Sequence, residues 1–183
     1  MFAFGFQSAA VEAVLRDDIS VSIIPSAPPP DGKAALLRIS PRHTTFLRFE
    51  FDSVLPEGTT ADQIAKATLR LWGSAGKTGG ACSVSPVMGP WSEFKGGIFP
   101  KTLPVLGQPA VVGLHDLARP FMVVDVTAMV RDWISGTPNW GLAIHAGSLS
   151  GPDGVVPPMN ASFDSKKNRA TGHLPTLQIV LRP

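Results

Sequence analysis

"DVTAMVRDWISGTPNWGLAIHA", residues 125–146, decides the fold. Val126, Val130, Trp133 and Ile134 recur at helical spacing and define one apolar face. Thr127 is placed to cap the helix, Gly136 to stop it, and Pro138 forbids its continuation. Leu142 and Ile144 then alternate as in a strand, with His145, between Ile144 and Ala146, pointing outward. The stretch therefore predicts one short helix at about 127–135, closing a β structure and returning the chain to it. Trp133 reads as core, and Asn139 as a turn residue that bonds its own backbone.

Outward from this connector the chain reads as strands. "FMVVDV", 121–126, is a continuous apolar run, as in a strand buried on both faces. "TTFLRFEF", 44–51, places Thr45, Leu47, Phe49 and Phe51 on one face and Arg48 and Glu50 on the other. "KATLRLWG", 66–73, places Leu69 and Leu71 inward and Thr68, Arg70 and Trp72 outward. "ISVSII", "AALLRI", "CSVSPVM", "GLAIHA", a short "ASFD" strand and a closing "TLQIVLRP" complete the set. Residues 1–16 read as an N-terminal arm, either a short helix or extended, and "LPEGTTADQIA" as a linker holding one helical turn capped by Thr60. "PSAPPPDGK" and "SLSGPDGVVPPMN" read as loops.

Gly and Pro number 18 each, close to a fifth of 183 residues, which suits short strands joined by tight turns. Apolar residues make up 44% and charged residues 16%, enough for one buried core and not a disordered composition. The fold predicted is all-β: a jelly-roll β-sandwich of about eight to ten antiparallel strands over residues 17–183, following the arm. A net charge of +2 predicts no nucleic-acid partner. No run approaches the ~18 apolar residues of a membrane span, and the first residues lack the basic segment of a secretory signal. The single cysteine, Cys82, reads as a small buried apolar residue.

Taken in order, "FLRFEFDSVLPEG", "ATLRLW", "PWSE", "VVDVTAMVRDWISGTPNWGLAI", "FDSKKN" and "LPTLQIVL" resemble the DNRLRE-domain family. That family is also described as carbohydrate-binding module family 96 and is related to disaggregatase repeats. The resemblance covers residues 17–181. It is most specific at Asp125, Val126, Thr127, Val130, Trp133, Gly136, Asn139, Gly141 and Leu142. It implies a jelly-roll module without catalytic activity, extracellular or at the cell surface, some of whose relatives hold acidic polysaccharides such as alginate. Lys166 and Lys167 stand where the family often has Arg-Glu.

The residues themselves offer a surface for such a ligand. If the Arg48 and Arg70–Trp72 strands are neighbours, two guanidinium groups and an indole share one face, suited to a carboxylate and a sugar ring. Arg48 and Arg70 equally suit pairing with carboxylates such as Glu50 and Asp52. Lys166, Lys167 and Arg169, with His173 following, make the densest basic segment. Trp140 is a candidate sugar platform, whereas Trp91 reads as packing. No cofactor is expected. A structural calcium would draw on Asp17, Asp18 and Asp125, although Asp125 equally suits a helix cap.

His43, His115, His145 and His173 have no metal-ligand spacing, and no GxSxG, P-loop, GxGxxG or CxxC pattern occurs. The reading is therefore not an enzyme. The partner expected is a polysaccharide or neighbouring copies of the chain itself. The alternative is a structural subunit of a surface filament, extracellular matrix or virion, assembling through the arm, where Phe2, Phe4 and Phe6 alternate.

Overall fold

Period-two alternation sets which face each strand buries, and the buried faces set how the strands stack. A computed structural model describes residues 8–24, 32–74, 79–93 and 103–182. Its strands are β1 (Ala10–Glu12), β2 (Val14–Ser22), β3 (Leu36–Ile39), β4 (His43–Glu50), β5 (Ile64–Ser74), β6 (Gly80–Pro86), β7 (Val111–His115), β8 (Phe121–Asp125), β9 (Leu142–Ala146), β10 (Leu149–Gly151), β11 (Gly154–Val156), β12 (Ala161–Asp164) and β13 (Thr176–Leu181). One helix, α1 (Thr127–Ile134), and one 3₁₀ turn (Ala61–Gln63) accompany them. Gln63 Oε1 accepts the Thr60 N–H at 2.8 Å, so the linker turn starts at Thr60 as expected.

The strands form an all-β sandwich of two antiparallel sheets. One is five-stranded, in the order β2-β4-β9-β6-β7. The other is six-stranded and centred on β5, which pairs with β13, β12 and β8. From β2 to β6 the chain changes sheet at every step, the interleaving a jelly roll requires. Leu47, Phe49, Leu142 and Ile144 of one sheet meet Leu37, Leu69, Leu71, Phe163 and Ile179 of the other, all buried. Each such side chain contributes about 1.5–3 kcal/mol on leaving water. A second apolar cluster lies on the outer face of the five-stranded sheet, where Trp91 and Val87 cover Ile19, Val21, Phe46 and Ala143.

The 125–146 connector closes one end of the sandwich. Asp125 Oδ1 accepts the N–H of Thr127 at 3.0 Å and its hydroxyl at 2.6 Å, and the Thr127 hydroxyl oxygen accepts Ala67 N–H at 2.9 Å. The capping group is thus Asp125, while Thr127 is the first helical residue and fastens α1 to β5. Arg131 donates to the Ile64 carbonyl, and Trp133 stacks on Phe51 at 6.0 Å. After Gly136, at φ +107°, Asn139 donates to the Phe49 carbonyl at 2.8 Å and accepts from Gly141 N–H at 3.0 Å. Gly141 adopts φ +81°, and a Cβ there would sit 2.2 Å from the Leu47 carbonyl oxygen.

Two expectations change, and a third is decided. The 121–126 run is not buried on both faces: Met122 and Val124 are buried, but Val123 is 45% exposed and Phe121 half-buried, because β8 pairs only with β5 and its outer face meets solvent. Part of the 148–160 loop is a hairpin, β10 with β11, whose strands are too short to show periodicity. Of the two alternatives for the arm, residues 10–16 take the extended one, and β1 pairs with β13 of the same chain. Phe2, Phe4 and Phe6 lie outside the described residues, as does most of the proline-rich loop. Cys82 is buried as expected, and burial pushes its thiol up to about 12.

The two connector glycines separate strain from collision. Gly141→Ala is expected to cost about 3 kcal/mol or more in urea denaturation, because the methyl meets backbone. Gly136→Ala, with open space around it, is expected to cost about 1–2 kcal/mol.

Candidate functional site

The chain between β4 and β5 crosses from one sheet to the other instead of turning back as a hairpin. Arg48 therefore lies on the outer face of the five-stranded sheet, and Arg70 and Trp72 on the outer face of the six-stranded one. The shared surface expected for these three residues does not form. The sequence cannot reveal this, because a 13-residue linker serves a crossover and a long hairpin loop equally well.

On the Arg48 side a buried ionic network replaces a ligand surface. A β-bulge between Leu15 and Asp17 resets the alternation of β2, so that Asp17 stands opposite Arg48 on the outer face and Asp18 opposite Leu47 on the inner one, both buried. Arg48 binds Asp17, its Nε at 2.8 Å, and its guanidinium also rests over Trp91 at 5.8 Å. Lys167 is paired with Asp18 and Glu93, and Lys166 with Glu93. Backbone groups complete the set: Lys166 N–H donates to Asp18 at 2.6 Å, and Asp18 N–H to Glu93 at 3.1 Å. Three buried carboxylates thus meet three cations. Arg48, Lys166 and Lys167 are consumed in holding the 165–168 turn and the Trp91–Glu93 segment against β2 and β4. The basic segment expected at Lys166, Lys167 and Arg169 reduces to Arg169, which is exposed.

The same network answers the calcium expectation. The carboxylates of Asp17 and Asp18 hold cationic side chains, and Asp125 is on the other sheet, bonded to Thr127, which draws its carboxyl below the usual aspartate range. The three aspartates are not brought together. Among the described residues no group of three or more His, Cys, Asp or Glu is arranged to hold a metal ion. Trp140 is half-buried against the Phe46–Trp91 cluster, and its carbonyl accepts the Trp91 indole N–H at 2.6 Å. Trp91 packs as expected.

The outer face of the six-stranded sheet is different. Cross-strand register sets Trp72 opposite Phe121, and Arg70 between Val123 and Thr176. The Trp72 indole stacks on the His173 ring at 4.3 Å with 16° between planes, and meets Phe121 edge-on at 5.4 Å. The Arg70 guanidinium lies 5.0 Å over the Phe121 ring. Among the described residues no carboxylate lies within 4.0 Å of Arg70, so its pairing with Glu50 or Asp52 does not occur; Glu50 pairs with Arg16 instead. His173 Nδ1 stands 3.4 Å from the buried Asp164, which fixes the ring against the indole. Two residues absent from the expected ligand set, Phe121 and His173, complete this platform. Phe121 was masked by the apparent burial of its strand. His173 was visible only as one charge in a basic turn.

Of the remaining histidines, His115 is buried and His43 and His145 are half-buried. Burial lowers the His115 and His145 imidazoles from their ordinary range. His115 packs against Phe163 at 5.1 Å. No family model matches the chain, and no curated protein matches it.

The ionic network makes a structural test. Asp17→Asn leaves the largely buried Arg48 guanidinium without its counter-charge and is expected to lower unfolding free energy by about 3 kcal/mol. Arg70→Gln, on the open face, is expected to change it by less than about 0.5 kcal/mol. Chemical denaturation of both variants checks the contrast.

Proposed function

We propose that the protein is a non-catalytic carbohydrate-binding or adhesion module that works outside the cell and holds an acidic polysaccharide on the outer face of the six-stranded sheet. The observation that carries this reading is the Trp72–His173 stack beside Phe121, with Arg70, which has no carboxylate partner among the described residues, above the phenyl ring. A partly exposed indole presents an apolar face to the C–H face of a sugar ring. A guanidinium with no protein carboxylate is available to a sugar carboxylate in bidentate geometry. A β-sheet face is flat, so it suits an extended chain better than a single sugar. The resemblance of the 125–142 connector to the DNRLRE domain supports the same class of function.

Affinity electrophoresis against oligomeric and polymeric uronates tests the reading. Retardation by uronates that weakens with salt is expected, and Trp72→Ala and Arg70→Gln should each weaken binding about tenfold. Unchanged retardation in both variants would remove this face from the reading.

A second reading, a structural subunit of a filament, matrix or virion, is favoured by the free edge of the five-stranded sheet. There β7 leaves Val112 48% and Leu114 54% exposed, followed by Leu117 at 56%. An edge strand with apolar side chains is a template for pairing with another chain. On this reading light scattering shows concentration-dependent growth that Leu114→Lys abolishes. Monomers at every concentration would exclude it.

A further inference from the structure

The tight turn between β3 and β4 lies at the corner where the chain passes from one sheet to the other. A pocket of about 320 Å³ opens there, lined by Arg38, Ser40, Arg42, His43 and Asn160 among others. The turn is fixed by reciprocal backbone bonds between Ser40 and His43, at 3.0 and 3.1 Å. The Ser40 hydroxyl oxygen accepts Arg42 N–H at 3.2 Å and also meets His43 Nδ1 at 3.0 Å. Arg38 is anchored by its backbone: its N–H donates to the Ser20 hydroxyl at 2.6 Å, and its carbonyl accepts the Thr45 hydroxyl at 2.9 Å. Both arginine side chains are exposed. Among the described residues neither has a carboxylate within 4.0 Å, whereas Arg16 has two and Arg48 has one.

We propose that this pocket is an oxyanion site, taking a carboxylate or a sulfate ester between Arg38 and Arg42 with Asn160 at its rim. Two guanidinium groups carried on a hydrogen-bonded backbone offer paired N–H donors to one oxyanion. Which oxyanion it takes follows from position, and this part rests on the polysaccharide reading. Ser74 of β5 is in register with Ser162 of β12, and Ser162 with Arg38 of β3. Residues in direct register share a face, so Arg38 projects on the same side as Trp72, two residues before Ser74. Strand spacing and rise put the Trp72 and Arg38 backbones roughly 12 Å apart. That separation suits an oligosaccharide with one ring on Trp72 and an acidic group further along in the pocket.

The experiment uses the full chain and two probes. Inorganic sulfate is titrated first, followed by the His43 ring signals in NMR. Saturable shifts are expected in the native protein and in Trp72→Ala, with about tenfold weaker binding in the Arg38→Gln/Arg42→Gln double variant. No saturable binding, or binding equal in the double variant, overturns the oxyanion site. A short oligouronate is titrated next, with about tenfold losses expected in both the double variant and Trp72→Ala. Sulfate binding without oligouronate binding keeps the oxyanion site and overturns the polysaccharide reading. A loss in Trp72→Ala alone keeps the platform and overturns the pocket as its second subsite. The native fold of each variant is confirmed by its unperturbed core methyl signals.

Discussion

The close approach of the Gly141 backbone to β4 is the constraint on which the rest depends. Nothing larger than hydrogen fits between Gly141 Cα and the Leu47 carbonyl, and Asn139 ties the same turn to the Phe49 carbonyl one residue pair further on. Together they deliver β9 into the gap between β4 and β6, where Leu142 and Ile144 reach the common core. The preceding helix is pinned at its other end, through Asp125 and Thr127 to Ala67 of β5. One segment of some twenty residues thus touches both sheets and fixes their separation at the closed end. A looser turn would leave β9 free to slip, and a slip of one residue would turn its apolar set outward.

The ionic network does for the 165–168 turn and the Trp91–Glu93 segment what the connector does for β9. Its contribution is position more than net stability, since desolvating three carboxylates and three cations costs nearly what their attraction returns. What it secures is a single arrangement. Glu93 is held only where Asp18, Lys166 and Lys167 converge, and this places Trp91 over Phe46 and closes the outer apolar cluster. These charges are then unavailable to a ligand. Basic residues dense in the sequence are therefore a poor guide to a basic surface.

The elements were legible where one physical signal acted alone. Alternation in 44–51 and 66–73 gave the inward faces of β4 and β5, and capping and stopping residues gave α1 within about a residue. Trp133 and Cys82 were readable as core for the same reason. What could not be read was which sheet each strand joins, because alternation reports a face and not a neighbour. Arg48 was for that reason grouped with Arg70 and Trp72. A bulge at Arg16 also escapes a period-two reading, and the burial of both Asp17 and Asp18, on opposite faces of β2, is not visible in the sequence. Phe121 and Val123 were hidden in a run of apolar residues whose exposure follows only from the single pairing of β8.

The two outer faces of the sandwich have opposite fates, and the difference is chemical. The five-stranded sheet has its cations matched to carboxylates and its aromatic rings covered by a loop. The six-stranded sheet keeps Trp72, Phe121 and His173 stacked at its outer face and Arg70 unmatched among the described residues, although the chain carries 14 acidic residues against 16 basic ones. Near-balance overall makes an unmatched arginine a matter of placement, not of excess. Arg70 on the sheet and Arg38 and Arg42 at its corner fall on the side where aromatic rings are also bare. Rings suit the apolar face of a sugar and guanidinium groups its acid, and neither alone would distinguish a charged polysaccharide from a neutral one. Their coincidence on one face, with the other face internally neutralised, is the ground on which the acidic-polysaccharide reading is proposed.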